Sequence, residues 1–507
     1  MMEARAHAKK WRHSISLDNA ADGAYSSYRF TLWVCDVAET LARSRSFVYR
    51  GVDLEHAFKR AAYFALINDA QAHEVFLAAL RGERSQPAAG PTAASEVLAA
   101  YLSPHAPSQA APMSFSDKAL NLARRAAAAL LRPARAGAVW MIAIQPKFVL
   151  HLEPVMEGLD ESYRIVTFDD PLTDDFLRDR GYLSLNAGSS TFWQTGPLRA
   201  VPNEIGVVAT LALAYDAVFR ILWENAPKGI VLSEGNAPIY EIVNLAARKL
   251  RIPTICVQQG WSPIVHSGFR DMSFSSMVVW GDWFAQALLS HNPAQHMFPL
   301  GNHMIELAPA RTGRPRTIGF FLQVGSRLIS DEAWSGMLGL IEFCARELPG
   351  VRVLVREHPN GPLTMDERAR LGALPAVELV PPGEITLQSV LRRCDVVVSI
   401  FSTTILEGIG VGAVPLVVNA TSMPSYYPDV AAEGAGIEVK DFAGARDALR
   451  MFWSQGTARY AAGIAAMQRR LFAHGGAEAL ARIVSHVRSE FGLLPGAGDA
   501  AQLRSDP

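Results

Sequence analysis

The stretch Ser399–Gly410 reads SIFSTTILEGIG. Its apolar start predicts a buried strand ending at Ile400 and a helix opening at Ser402. Ser402, Thr403 and Thr404 then stand at a helix N-terminus, where free backbone N–H groups and the helix dipole attract an anion. Their hydroxyls add donors, and Glu407, one turn on, could accept from a ribose hydroxyl. The plainer reading, that Ser402 or Thr403 only caps the helix, carries equal weight. No glycine-rich nucleotide fingerprint competes elsewhere in the chain.

Four more loops carry residues of chemical interest. VLVREHPNG (Val353–Gly361) puts His358 directly after a strand, with Pro359 fixing the turn. A histidine there can donate to, or protonate, a departing phosphate, although most loop histidines are structural. Arg356 beside it suits either phosphate or a strand-end surface pair. GIVLSEGNAPIYE (Gly229–Glu241) ends a strand at Glu234, next to Gly235, a placement that suits a general base as well as a plain loop acid. VQQGWSP (Val257–Pro263) offers Gln258, Gln259, Gly260 and Trp261 as amide donors and an aromatic wall, and LQVGSRL (Leu322–Leu328) offers Gly325, Ser326 and Arg327. The acids Asp169, Asp170, Asp174 and Asp175 could hold Mg²⁺. With Pro171 among them they read better as a turn and helix cap. The histidines show no zinc spacing.

The elements that must position these loops form two α/β sets. Apolar runs at Val139–Ile144, Tyr163–Phe168, Lys228–Ser233 and Pro253–Val257 alternate with helical patterns at Pro154–Gly158, Val207–Trp223 and Ile239–Leu250. A second set has strands at Thr317–Leu322, Arg352–Arg356, Val377–Val380, Asp395–Ile400 and Pro415–Asn419, with helices at Asp331–Leu348, Thr386–Arg393 and Thr403–Gly410. Such alternation predicts parallel sheets covered on both faces, with ligands at the strand carboxyl ends. The expected fold class is therefore α/β: two doubly wound, Rossmann-like domains facing a cleft, plus a helical N-terminal extension. The expected divisions are 1–113 (extension and linker), 114–301 (acceptor domain), 302–316 (hinge), 317–455 (nucleotide-sugar domain), 456–493 (helices) and 494–507 (tail).

Composition bounds the function. The chain has 507 residues, half of them apolar, and a net charge of −1 from 48 basic and 49 acidic residues. A near-neutral chain is a poor nucleic-acid-coating protein. Its four cysteines form no CxxC pair, so no disulfide framework or cysteine metal site is expected. The basic N-terminus lacks the apolar run of a secretory signal. The best spanning candidate, Ile205–Trp223, is interrupted by Asp216 and Arg220 and reads as a buried helix. Lys118–Arg135 is basic, and reads first as a solvated helix and second as a contact with anionic lipid.

The order SEG, QQGW, LGNHM, EHPNG, FSTTILEG across two α/β halves resembles bacterial GT-B glycosyltransferases of capsule and surface-polysaccharide synthesis. Trp280-Gly281 and Gly301-Asn302 fall in matching order. The resemblance covers roughly residues 225–420. It looks especially like the sialyl-motif group of sialyltransferases, polysialyltransferases and capsular Kdo transferases. The acidic element of that group stands here as Ser233-Glu234-Gly235, and its Gln-His-Gly turn as Gln258-Gln259-Gly260.

The resemblance implies inverting, metal-independent transfer of a CMP-linked acidic sugar to a surface-glycan or lipid-linked acceptor, in the cytoplasm or at the inner membrane, with no cofactor beyond the donor. Glu234 would be the base and His358 the phosphate partner. Ser402, Thr403, Thr404, Arg356, Pro359, Gly325, Ser326 and Arg327 would hold the donor, Glu407 the ribose, and Gln258–Trp261 the acceptor. The alternatives are a CDP-polyol phosphotransferase of the teichoic-acid type, a non-hydrolysing UDP-sugar 2-epimerase, and an inactive glycan-binding protein.

Overall fold

A computed structural model describes residues 27–43, 47–67, 72, 75–76, 137–168, 171–182, 184–187, 206–262, 264–323, 329, 331–358, 361–381, 385–400, 402–420 and 428–493. Two wholly parallel sheets dominate it. The first has seven strands: β3 (Val139–Ile142), β4 (Tyr163–Thr167), β5 (Ser184–Asn186), β6 (Gly229–Ser233), β7 (Thr254–Val257), β8 (Ser276–Val279) and β9 (Met297–Pro299), in the spatial order 5-4-3-6-7-8-9. The second has six: β10 (Thr317–Phe321), β11 (Arg352–Arg356), β12 (Val377–Val380), β13 (Val396–Ser399), β14 (Val414–Val418) and β15 (Ile437–Val439), in the order 12-11-10-13-14-15. This is the expected pair of Rossmann-like domains in a GT-B-like arrangement.

Burial explains why these runs are strands. Every residue of β3, β6, β7, β8, β13 and β14 is buried. A strand covered on both faces needs a continuous apolar run. The outer strands β5, β9 and β15 are three residues each and half-exposed, too short to read as apolar runs.

Connecting helices cover the sheets. The first sheet carries α3 (Pro146–Gly158), α4 (Pro171–Asp179), α5 (Gly206–Asn225), α6 (Pro238–Lys249) and α7 (Asp282–Leu289). The second carries α8 (Asp331–Glu347), α9 (Met365–Gly372), α10 (Leu387–Leu391), α11 (Thr403–Gly410) and α12 (Phe442–Gln455). The helix expected from Pro154 begins instead at Pro146 and keeps Pro154 in its interior. Proline is favoured in the first turn, where its missing N–H would be unpaired anyway. A second proline further on therefore read falsely as the start. Two further helices, α13 (Ala461–Leu471) and α14 (Gly476–Glu490), follow the second sheet, and α14 packs back onto α3. Arg488 there donates to the carbonyls of Gly158 and Leu159, each at 3.2 Å.

Two helices of the extension are described, α1 (Ser27–Arg43) and α2 (Glu55–Ile67), joined by the hairpin β1 (Val48–Tyr49) and β2 (Val52–Asp53). Helix α2 packs on α5 and α6. The basic stretch Lys118–Arg135 lies outside the described residues. Among the described residues, no helix is long and apolar enough to cross a membrane. Asp174 accepts from Thr167 at 2.7 Å and Asn186 at 3.0 Å, and Asp175 pairs with Arg178 at 2.6 Å. Those two acids serve the turn and the helix, while Asp169 and Asp170 lie outside the described residues.

Candidate functional site

In each sheet the chain starts in the middle, winds outward and returns. The switch points lie between β3 and β6 and between β10 and β13, and doubly wound sheets bind ligands there. The loop after β6 carries Glu234. The loop after β3 runs into α3, whose second residue is Lys147. Their charged atoms, Oε1 of Glu234 and Nζ of Lys147, are 3.7 Å apart.

Glu234 has φ of +63° and Gly235 of +70°. A non-glycine residue in this left-handed region costs about 1–2 kcal/mol and persists only where its surroundings hold it. Here Glu234 N–H donates to Val257 O at 3.1 Å and Gly235 N–H to Ser233 O at 2.8 Å. At Gly235 a Cβ would meet Phe274 and Cys256 at 2.7 and 2.8 Å, so only glycine fits. Ser233, the motif position without an acid, is fully buried, and its Oγ lies 2.8 Å from Nδ1 of the buried His151.

From the second sheet, α11 enters the same place. Ser402 caps it, accepting from Thr404 N–H at 3.3 Å. The Thr403 hydroxyl donates to Trp261 O at 3.1 Å and accepts from Trp261 N–H at 3.0 Å, tying the two domains together. The Thr404 hydroxyl is buried with no hydrogen-bond partner. The three hydroxyls expected to act alike thus divide into a cap, an interdomain tie and one unused donor. A Cβ added at Gly260 would lie 3.3 Å from Thr403 Oγ1 and 3.8 Å from Glu234 Oε1. The candidate base and the helix start therefore converge on one spot.

Other expected residues are committed within the protein. Gln258 is buried. Its Oε1 accepts from Trp280 N–H at 3.0 Å, and its carbonyl accepts from the Trp280 indole at 3.0 Å. Trp261 packs edge-on against Trp283 and Phe284 and is buried rather than forming an open wall. Gln259 and Gly260 remain half-buried at the cleft. Arg356 donates to Pro381 O at 2.8 Å, towards the outer strand β12. Gly325, Ser326, Arg327 and Pro359 lie outside the described residues.

His358 follows β11, and its turn is anchored by the buried Glu357. That carboxylate accepts from Leu363 N–H at 2.9 Å and from Arg368 at 2.7 Å. Burial, and then the charge of Lys147, push the His358 imidazole down to about 4. At neutral pH the ring is neutral and can donate one N–H hydrogen bond, but it carries no spare proton. His151 is held far below its usual range by burial, followed by His303 and Lys147.

Burial alone pushes Glu407 up to about 7. Below about 4.5 both folded and unfolded chains hold that proton, so nothing is lost. Between about 4.5 and 7 the unfolded chain releases it while the folded chain keeps it, and stability falls as pH rises. Glu407→Gln should therefore leave stability near wild type at pH 4.5 and raise it at pH 8, by up to about 3 kcal/mol. Denaturant unfolding at the two pH values measures this, and an equal difference at both would refute the assignment.

Lys147 escaped the sequence reading, and Glu357, read there only as a flank of His358, is instead buried and bonded to Leu363 and Arg368. The misplaced start of α3 hid Lys147, although the switch-point rule would have found it once β3 and β6 were seen to be neighbours.

No model of a known protein family matches the sequence, and no curated protein matches it. Among solved structures it is similar to the UDP-GlcNAc 2-epimerase of Neisseria meningitidis bound to UDP-GlcNAc, with 13% identity, 69% of this chain and 100% of that one covered, and a TM-score of 0.47. It is also similar to Anabaena HepE in complex with UDP-glucose, with 13% identity, 69% and 99% covered, and a TM-score of 0.43. For the UDP-GlcNAc 2-epimerase of Methanocaldococcus jannaschii the values are 11%, 66% and 98%, and 0.41. These likenesses are of architecture. They stand against one expectation: the similar structures are 2-epimerases and a UDP-sugar complex, not transferases of a CMP-linked acidic sugar.

Proposed function

We propose that this chain is an enzyme that binds a UDP-linked sugar in the cleft and inverts a carbon of that sugar without an acceptor, in the manner of a non-hydrolysing 2-epimerase. The convergence of Glu234 and the α11 N-terminus on Gly260 carries this reading. A carboxylate and an anion-binding helix start, so close together, suit a sugar whose phosphate is held while a proton is removed nearby.

In this reading the positive end of the α11 dipole and the Thr404 hydroxyl hold the diphosphate. Lys147 offsets the charge that grows on the phosphate as its bond to the sugar weakens. Glu407 hydrogen-bonds the ribose, and neutral His358 donates its N–H to an oxygen of the ligand. Glu234 is the base.

Inverting a carbon that bears hydrogen requires that hydrogen to leave as a proton to Glu234, its electron pair expelling UDP from the neighbouring carbon. A solvent-derived proton then returns on the opposite face as the bond to UDP re-forms. Incubation with UDP-GlcNAc alone in D₂O should therefore yield the 2-epimer carrying deuterium at the inverted carbon, read by NMR. Unchanged sugar, or hydrolysis alone, would overturn the reading. UDP at 100 times its Kd should add about 2.7 kcal/mol of stability, against a smaller shift with CMP at the same concentration.

A further inference from the structure

The N-terminal extension reaches the candidate base from beneath. Arg60, on α2, is fully buried. Its Nη1 donates to the carbonyl of Gly235 at 2.8 Å, and its Nη2 lies 3.1 Å from Oε2 of Glu241, also fully buried, in the first turn of α6. Neighbouring residues of α2 hold the adjoining loop. Lys59 pairs with Asp271, and Tyr63 stacks on His266 with ring centres 4.5 Å apart and planes within 3°.

We propose that Arg60 is a positioning residue: through the Gly235 carbonyl it holds the left-handed Glu234–Gly235 turn and so sets where the Glu234 carboxylate points. The inference rests on the reading of Glu234 as the base. Glu234, a non-glycine residue with positive φ, needs outside support, whereas Gly235 takes its positive φ freely. The other hydrogen bonds of the turn run from its own N–H groups to neighbouring strand ends. The Arg60 bond is charge-assisted and buried, the strongest type available to a backbone carbonyl. The extension is on this view part of the site.

Arg60→Met alone would strand the Glu241 carboxylate in the interior and destabilise the fold for that reason. The test therefore uses Arg60→Met combined with Glu241→Met, since replacing a buried ion pair by apolar groups of similar size is often neutral for stability. Arg60→Lys serves as the conservative variant. In the folded double variant, amide hydrogen exchange over residues 233–237 should rise at least about tenfold relative to wild type, while exchange in β7 stays unchanged. Turnover should fall at least about tenfold at unchanged KM, with partial recovery in Arg60→Lys. Wild-type exchange across the turn, or wild-type turnover, in the double variant would overturn the proposal. If the wild-type chain turns over no UDP-sugar, the functional reading fails by itself, and the exchange comparison still decides what Arg60 does.

Discussion

Glu234→Gln should lower turnover of UDP-GlcNAc at least about 100-fold, with no comparable loss of fold. Gln fills nearly the same volume and can hydrogen-bond, but it cannot take a proton at neutral pH. The stability cost is small because the partner, Lys147, is half-exposed, and such ion pairs contribute about 0–1 kcal/mol. Deuterium incorporation in D₂O gives the rate and thermal melting gives the fold. Turnover within about threefold of wild type would remove Glu234 from the chemistry, and the exchange comparison would then be the test of what Arg60 does at the turn.

The second large effect is expected at Lys147. Lys147→Met should reduce kcat/KM by about 10²-fold, the usual cost of losing one prearranged charge-stabilising donor. It should also move a proton elsewhere. Lys147 is one of two causes that depress His358, so its removal should raise the His358 pKa from about 4 towards the ordinary range. Burial, the larger cause, keeps it below that range. An NMR titration of the His358 ring checks this without any turnover. A ring that titrates as in wild type would mean that Lys147 does not face the His358 side of the cleft.

The parallel sheets were legible because a strand buried on both faces has to be apolar throughout. Val139–Ile142, Gly229–Ser233 and Val396–Ser399 could hardly have been anything else once they alternated with helices. The loops carrying Glu234, His358 and Ser402 were legible for the same reason, since in such sheets the strand carboxyl ends face ligand. The short outer strands were not, because three half-exposed residues leave no run to see. Lys147 was hidden by a local ambiguity: two prolines eight positions apart could each have opened α3.

The chain by itself determined residue types and their order: a carboxylate, a histidine and a hydroxyl-rich helix start, each at the end of a strand. It could not determine which of those groups remain free to act. Gln258, Trp261, Arg356 and the Thr403 hydroxyl all looked available, and each is taken up by a partner distant in sequence. Thr404 looked interchangeable with its neighbours and is the hydroxyl left without a partner. Availability depends on what packs against a group once the chain has closed on itself. So does charge, because the shifts at His358 and Glu407 come mainly from burial, which has no local signature. The same holds for Arg60. Its helix carried no recognisable motif, and only the packing of α2 beneath the Glu234–Gly235 turn gives it a place in the site.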